Sequence, residues 1–297
     1  MISHTMKLAI TGSSGLVGSA LVSLLTAAGH EVLRMRRPAH WNPERSMVDL
    51  AALEAKDAVV HLAGENIASG RWTAKKKAQI RDSRIKGTKL IAESLAKLAQ
   101  PPGVLVSASA IGFYGDRGNE LLSEESGPGR GFLSEVCRQW EAATDPATRK
   151  GIRVVHLRTG LVLSRKGGAL DKMLLPFKLG IGGKIGAGKQ YWSWISLDDM
   201  CAAILHCIQA GGLHGPVNIV SPSPVTNLEF TKALGRVLSR PTIFPLPAFA
   251  ARLALGEMAD VLLLASARVE PVKLHTSRFM FRDKEIEATL RNMLGKN

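Results

Sequence analysis

The segment Lys7-Leu-Ala-Ile-Thr11-Gly12-Ser13-Ser14-Gly15-Leu16-Val17-Gly18 constrains this chain more than any other. An apolar strand runs into a turn of small residues. A helix follows, with Leu16, Val17, Ala20, Leu21, Leu24 and Leu25 recurring near a 3.6-residue period. Gly29 stands where such a helix stops, and Glu31-Val-Leu-Arg-Met35 resumes as a strand. A dinucleotide-binding βαβ unit begins in this way. Gly12 permits the tight turn, Gly15 lets the backbone approach a pyrophosphate, and Gly18 lets helix and strand pack closely. The first helical N–H groups then face the phosphates. The spacing is G-x-x-G-x-x-G. Among 29 glycines in 297 residues such a triplet has little weight alone, and its place between strand and amphipathic helix supplies the rest.

The end of the second strand selects the cofactor. An NAD site usually places Asp or Glu there to accept from the ribose 2′-OH. This chain has Arg34, Arg36 and Arg37 instead. A carboxylate would repel a 2′-phosphate, whereas a guanidinium binds one bidentately. The expectation is therefore NADP(H) rather than NAD(H).

A hydrophobic fraction of 45% is ample for a core. The most apolar run, Leu246 to Ala265, is interrupted by Arg252, Glu257 and Asp260 and is not a membrane span. Met1 to Met6 shows no signal-peptide pattern. Cys137, Cys201 and Cys207 are odd in number and lack metal-ligand spacing, which fits a reducing cytoplasm. The eight His also lack metal spacing, so no metal is expected. Net charge is +14, concentrated in part between Arg71 and Lys89, where the bases meet only Asp82. That stretch reads as a solvated helix packing Ile80 and Ile85 on a sheet. No nucleic-acid motif accompanies it.

Strands and helices alternate to about residue 160, which implies a parallel sheet covered by helices on both faces. The predicted fold is α/β, a Rossmann-type doubly wound parallel sheet with a smaller C-terminal substrate domain. Residues 6–163, joined by 195–220, form the cofactor domain; residues 164–194 and 221–297 form the smaller one. Asn227 is the expected cap of a helix through Leu238. Gly183-Lys-Ile-Gly-Ala-Gly188-Lys189 mimics a phosphate loop. Gln190 stands where Mg²⁺ binding needs Ser or Thr, and Tyr191-Trp-Ser-Trp194 replaces the apolar helix. These aromatics are expected to wall the substrate pocket.

Several segments fall in the order seen in extended short-chain dehydrogenases/reductases, which the chain resembles over nearly its whole length from Met6. They are the glycine turn, Asp57-Ala-Val-Val-His-Leu-Ala-Gly64, Ser107-Ala-Ser-Ala-Ile-Gly-Phe-Tyr-Gly115 and Gly188-Lys-Gln-Tyr-Trp-Ser-Trp-Ile-Ser-Leu-Asp-Asp199. Leu62-Ala-Gly-Glu-Asn66, Trp140-Glu141, Leu157-Arg-Thr-Gly160 and Leu174-Leu-Pro-Phe-Lys-Leu-Gly180 resemble one atypical branch. That branch comprises epimerase family proteins ending in a domain of unknown function, sometimes described as cell-division inhibitors. The resemblance implies NADP(H) contacts from Thr11 through Gly18, from Arg36 and Arg37, and from Leu62, Ala63 and Gly64. It also implies that Arg84 and Arg158 line the cleft.

The usual chemistry of that superfamily needs a Tyr acid/base, a Lys one helical turn later, and a Ser that fixes the substrate oxygen. Aligned on Glu141, this chain has Leu133 at the Tyr position and Cys137 at the Lys position; aligned on Tyr114-Gly115, it has Ala110 at the Ser position. No Tyr-x-x-x-Lys occurs anywhere. Two readings follow. In the first, an oxidoreductase or epimerase-like enzyme acts on an unidentified small molecule, with Ser109, Tyr114 or Glu65 as candidate catalytic groups. In the second, a non-catalytic NADP(H)-binding sensor or regulator, linked to cell division, contacts a partner. Leu133 in place of Tyr makes the expected pocket more apolar than one for a nucleotide sugar. A homodimer is compatible with either reading.

Overall fold

A computed structural model describes residues 5–296. Residues 1–4, most of the stretch bearing on a leader, lie outside them. The main sheet comprises β1 (Lys7–Thr11), β2 (Glu31–Met35), β3 (Ala58–His61), β4 (Val104–Ala110), β5 (Arg153–Thr159) and β6 (Gly215–Ile219). Their spatial order is β6-β5-β4-β3-β1-β2, and every pairing is parallel. The order reverses between β1 and β3, where an open α/β sheet leaves a crevice at the carboxyl ends of its strands.

Parallel pairing requires crossovers. The principal helices are α1 (Leu16–Ala27), α2 (Ala74–Ala96), α3 (Phe132–Ala142), α4 (Gly168–Lys178), α5 (Leu197–Gln209), α6 (Asn227–Leu238) and α7 (Ala248–Leu255). Successive strand residues point to opposite faces. Leu8 and Ile10 of β1 therefore join Leu21 and Leu25 of α1 and Ile204 of α5 on one face. Ala9 joins Ile91 and Leu95 of α2 on the other. The sheet is doubly wound, as the alternation predicts.

The basic stretch belongs to α2, which runs on unbroken to Ala96. Its cap is Thr73, whose hydroxyl accepts from the Lys76 N–H at 3.2 Å. Lys75, Arg81, Lys86 and Lys89 face solvent, while Ile80 is fully buried.

A further core joins α4 to α6 through Leu174, Phe177, Phe230 and Leu234. Trp192 and Trp194 belong to this core and do not wall a pocket. Their indole N–H groups donate to the carbonyls of Leu263 and Ser223. A buried indole needs such an acceptor, which carbonyls of the following segments supply. The cap of α6 is Thr226 rather than Asn227. Thr226 and Glu229 form a reciprocal capping box, and the Asn227 side chain instead accepts from the Ile185 N–H at 2.7 Å. The mimic of a phosphate loop runs into no helix. Its backbone pairs with Leu246 instead. No helix among the described residues is long and apolar enough to cross a membrane.

His61 ends β3, is fully buried, and shares a 2.7 Å hydrogen bond with Thr11 Oγ1. Burial first, and the Arg37 charge second, lower its pKa from 6.5 to about 4. Between those values the unfolded chain takes up a proton that the folded chain refuses. Stability is therefore lost as pH falls from about 6.5 to about 4, by up to about 3 kcal/mol. Urea unfolding of His61→Gln across this window should show a shallower acid loss than the parent protein. Equal slopes would refute the assignment.

Candidate functional site

The glycine turn is built by close approach. Gly12 has φ +69°, and a Cβ there would stand 2.8 Å from the Ala63 nitrogen. A Cβ on Gly18 would stand 2.2 Å from the Gly12 carbonyl oxygen. Gly15 differs, because a Cβ there would meet only one atom, the Gly12 oxygen at 3.4 Å. Gly15 is also the N-cap of α1, no side chain caps that terminus, and its first turn holds no acidic residue. The terminal N–H groups and the positive end of the helix dipole are thus left for an anion. Ser13 is buried, while Ser14 and Gly15 are exposed. The residues present fit a dinucleotide pyrophosphate.

Arg36 and Arg37 leave β2 at its carboxyl end and are exposed, with the Arg37 guanidinium 5.5 Å from the Trp41 ring centroid. Leu62 and Ala63 abut Gly12, so the end of β3 forms the next wall.

The loop beyond them is pinned to α2. The Glu65 N–H donates to Ser83 Oγ at 3.0 Å, and Arg84 donates to the carbonyls of Glu65 and Ile80 at 3.0 and 3.1 Å. Lys76 Nζ meets Glu65 Oε1 at 2.5 Å. The Arg84 guanidinium lies 5.0 Å from the Trp140 ring centroid, and its carbon is 3.5 Å from where a Gly64 Cβ would stand. Burial lowers the Arg84 pKa, and the neighbouring Cys137 and Glu65 partly offset this. A guanidinium so placed stays charged at neutral pH. Arg84 therefore sets a cation beside α3, where the superfamily Lys is replaced by Cys137. The Cys137 thiol is pushed up to about 12, by burial first and Glu141 next, so it is not a thiolate nucleophile.

Ser109 and Tyr114 enter a buried network around Arg158. The Arg158 guanidinium grips Glu141 with two hydrogen bonds of 2.9 Å, donates to the Tyr114 hydroxyl at 3.0 Å, and stacks 3.5 Å from the Phe113 ring centroid. Ser109 Oγ donates to Glu141 at 2.7 Å, and the Tyr114 hydroxyl donates to Asn218 Oδ1 at 2.7 Å. Burial opposes the Arg158 charge, but the Glu141 carboxylate prevails and holds its pKa above the usual value. Tyr114 is raised, by burial first. The network joins β4, β5 and β6 to α3. Arg158 thus acts within the protein frame beside the cleft, while Arg84 borders the Gly64 loop.

Glu141, Asn218 and Trp140 were not singled out as functional from the sequence. One signal was present: a strand Arg flanked by apolar residues needs a buried carboxylate partner. Removing one partner of such a pair should cost about 3–5 kcal/mol. Arg158→Met should lose about that much stability in urea unfolding, and adding Glu141→Leu should recover a substantial part. Full additivity of the two losses would refute the coupling.

The model of the NAD dependent epimerase/dehydratase family matches residues 8–219, and that of a domain of unknown function, DUF1731, matches residues 246–293. An epimerase family protein of Mycobacterium tuberculosis is 46% identical over 289 residues, covering 95% of each chain. The crystal structure of human epimerase family protein SDR39U1 with NADPH superposes with a TM-score of 0.89 at 34% identity, over 98% of this chain and 100% of that one. A nucleoside-diphosphate sugar epimerase of Corynebacterium glutamicum gives a TM-score of 0.80 at 39% identity, over 98% of this chain and 58% of that one.

Proposed function

This chain belongs to the NAD dependent epimerase/dehydratase family, and on that premise we propose that it is an NADP(H)-dependent oxidoreductase or epimerase-like enzyme acting on a small molecule without a Ser-Tyr-Lys triad. Its fold is that of the extended short-chain dehydrogenases, and its cofactor is NADP(H). One observation carries the reading. At the uncapped end of α1 the Gly12 turn abuts Leu62 and Ala63, and the Arg84 guanidinium carbon stands 3.5 Å from where a Gly64 Cβ would lie.

When bound, the nicotinamide supplies or accepts hydride. The chain's residues do the rest. The N–H groups after Gly15 hold the pyrophosphate, and Arg36 and Arg37 hold the 2′-phosphate. Arg84 supplies positive charge beside the loop that closes the cleft. Leu133, packed against Gly112, keeps water from the wall where the superfamily carries Tyr. Of the three candidate proton-handling groups, Glu65 has the most open side chain, at 41% exposure, and it pairs with Lys76. We assign Glu65 the proton transfer. Ser109 and Tyr114 hold Glu141 and Arg158 in place.

The second reading, an NADP(H) sensor without turnover, is favoured by the engagement of both the Ser109 and Tyr114 hydroxyls with protein acceptors. Nicotinamide fluorescence during titration, followed by aldehydes, ketones and quinones, separates the two. Substrate-dependent oxidation of NADPH that falls in Glu65→Gln supports the enzyme. Saturable binding with no oxidation across the panel supports the sensor.

Arg37→Glu should weaken NADPH binding roughly ten- to hundredfold while changing NADH binding little, because a charge-assisted contact to the 2′-phosphate is lost. Equal loss for both nucleotides would refute the 2′-phosphate assignment.

A further inference from the structure

The carboxyl-terminal third exposes large apolar side chains. Ile243-Phe-Pro-Leu-Pro-Ala-Phe-Ala-Ala-Arg-Leu-Ala-Leu255 carries a single charge, Arg252. Within it, Phe249 and Leu253 lie one turn apart on α7 and are 71% and 77% exposed. Ile243 and Phe244 are exposed just before them, as are Leu175 and Leu179 at the end of α4. Backbone and side-chain bonds stitch the two segments together. Arg240 donates to the Lys178 carbonyl at 2.8 Å, Leu246 N–H to the Lys184 carbonyl at 2.8 Å, and Gly186 N–H to the Leu246 carbonyl at 2.9 Å. Apolar exposure concentrated on adjoining elements marks an interaction surface.

The charges on these elements indicate what covers it. Lys172, Lys178 and Arg240 are exposed and engage no carboxylate in the ion pairs of the described residues; Arg252 pairs with Asp260. The chain as a whole carries +14. A second copy would bring the same cations face to face, which disfavours self-association. An anionic bilayer accepts both features. Apolar side chains enter the headgroup–acyl boundary, while Lys and Arg extend to lipid phosphates.

We propose that the surface formed by α7 and the end of α4 seats this protein on an anionic lipid bilayer. The test is sedimentation of the full chain with phosphatidylcholine vesicles and with vesicles of equal parts phosphatidylcholine and phosphatidylglycerol. Binding is expected only to the anionic vesicles, and should weaken as salt is raised. The double variant Phe249→Ser with Leu253→Ser, and separately Lys172→Glu with Lys178→Glu, should each lose about tenfold or more in partitioning while keeping the parent melting temperature. Absence of binding to anionic vesicles at low salt would overturn the proposal. So would unchanged partitioning in either folded double variant. A stable dimer in light scattering that the Phe249 and Leu253 substitutions split would assign the surface to a second copy, and would overturn it equally.

Discussion

Gly18 of α1 sits so close to the Gly12 carbonyl that no side chain fits between them. That approach fixes the axis of α1 against β1, and the remainder of the cleft is arranged around the result. With the helix held there, its uncapped terminus opens where the strand order reverses. The left-handed conformation of Gly12 brings the turn against Leu62 and Ala63, so β3 cannot shift without disturbing the same turn. The placement of helix dipole, open N–H groups and wall around one turn thus follows from two missing Cβ atoms.

The second constraint is electrostatic. Glu141 and Arg158 are both largely shielded from water, so each needs the other. Their mutual grip is shared with Ser109 and Tyr114, two side chains whose residue types suggest catalysis. Their chemistry is turned inward, to a frame that fixes β4, β5 and β6 relative to α3. An ion pair of this kind adds little net stability over an apolar replacement, but it fixes geometry because its hydrogen bonds are directional.

Much of this architecture is legible in the sequence. The β1–α1 unit is readable because a short continuous apolar run marks the strand and a 3.6-residue period marks the helix. So is α2, whose basic stretch continues as a helix to Ala96, within two residues of where the sequence ends it. Trp192 and Trp194 look like pocket walls in a linear reading. They are core because acceptors from residues 223 and 263, far away in the chain, reach their indole N–H groups. The cap of α6 moves by one residue because Asn227 finds a distant partner in Ile185 while Thr226 finds Glu229 nearby. Arg84 and Arg158 are nameable from sequence, but their different surroundings are not. One lies over Trp140 beside a loop; the other lies over Phe113 inside a carboxylate clamp.

That difference bears on the missing Lys. The ammonium of the superfamily pattern would stand on α3, one turn after a Tyr. Here the same part of α3 carries a neutral buried thiol, and the cation comes from α2. A guanidinium reaching in from a neighbouring helix can hold phosphate or ribose oxygens as an ammonium does, with more donors and a fixed plane. It cannot lower the pKa of a Tyr that Leu133 has replaced. On the proposed enzyme reading, charge for binding is kept while the acid/base function of the helix is given up. Proton transfer falls, on that reading, to a group outside α3, and the Glu65 carboxylate, paired with Lys76 on the loop that Arg84 anchors, is the one we propose for it.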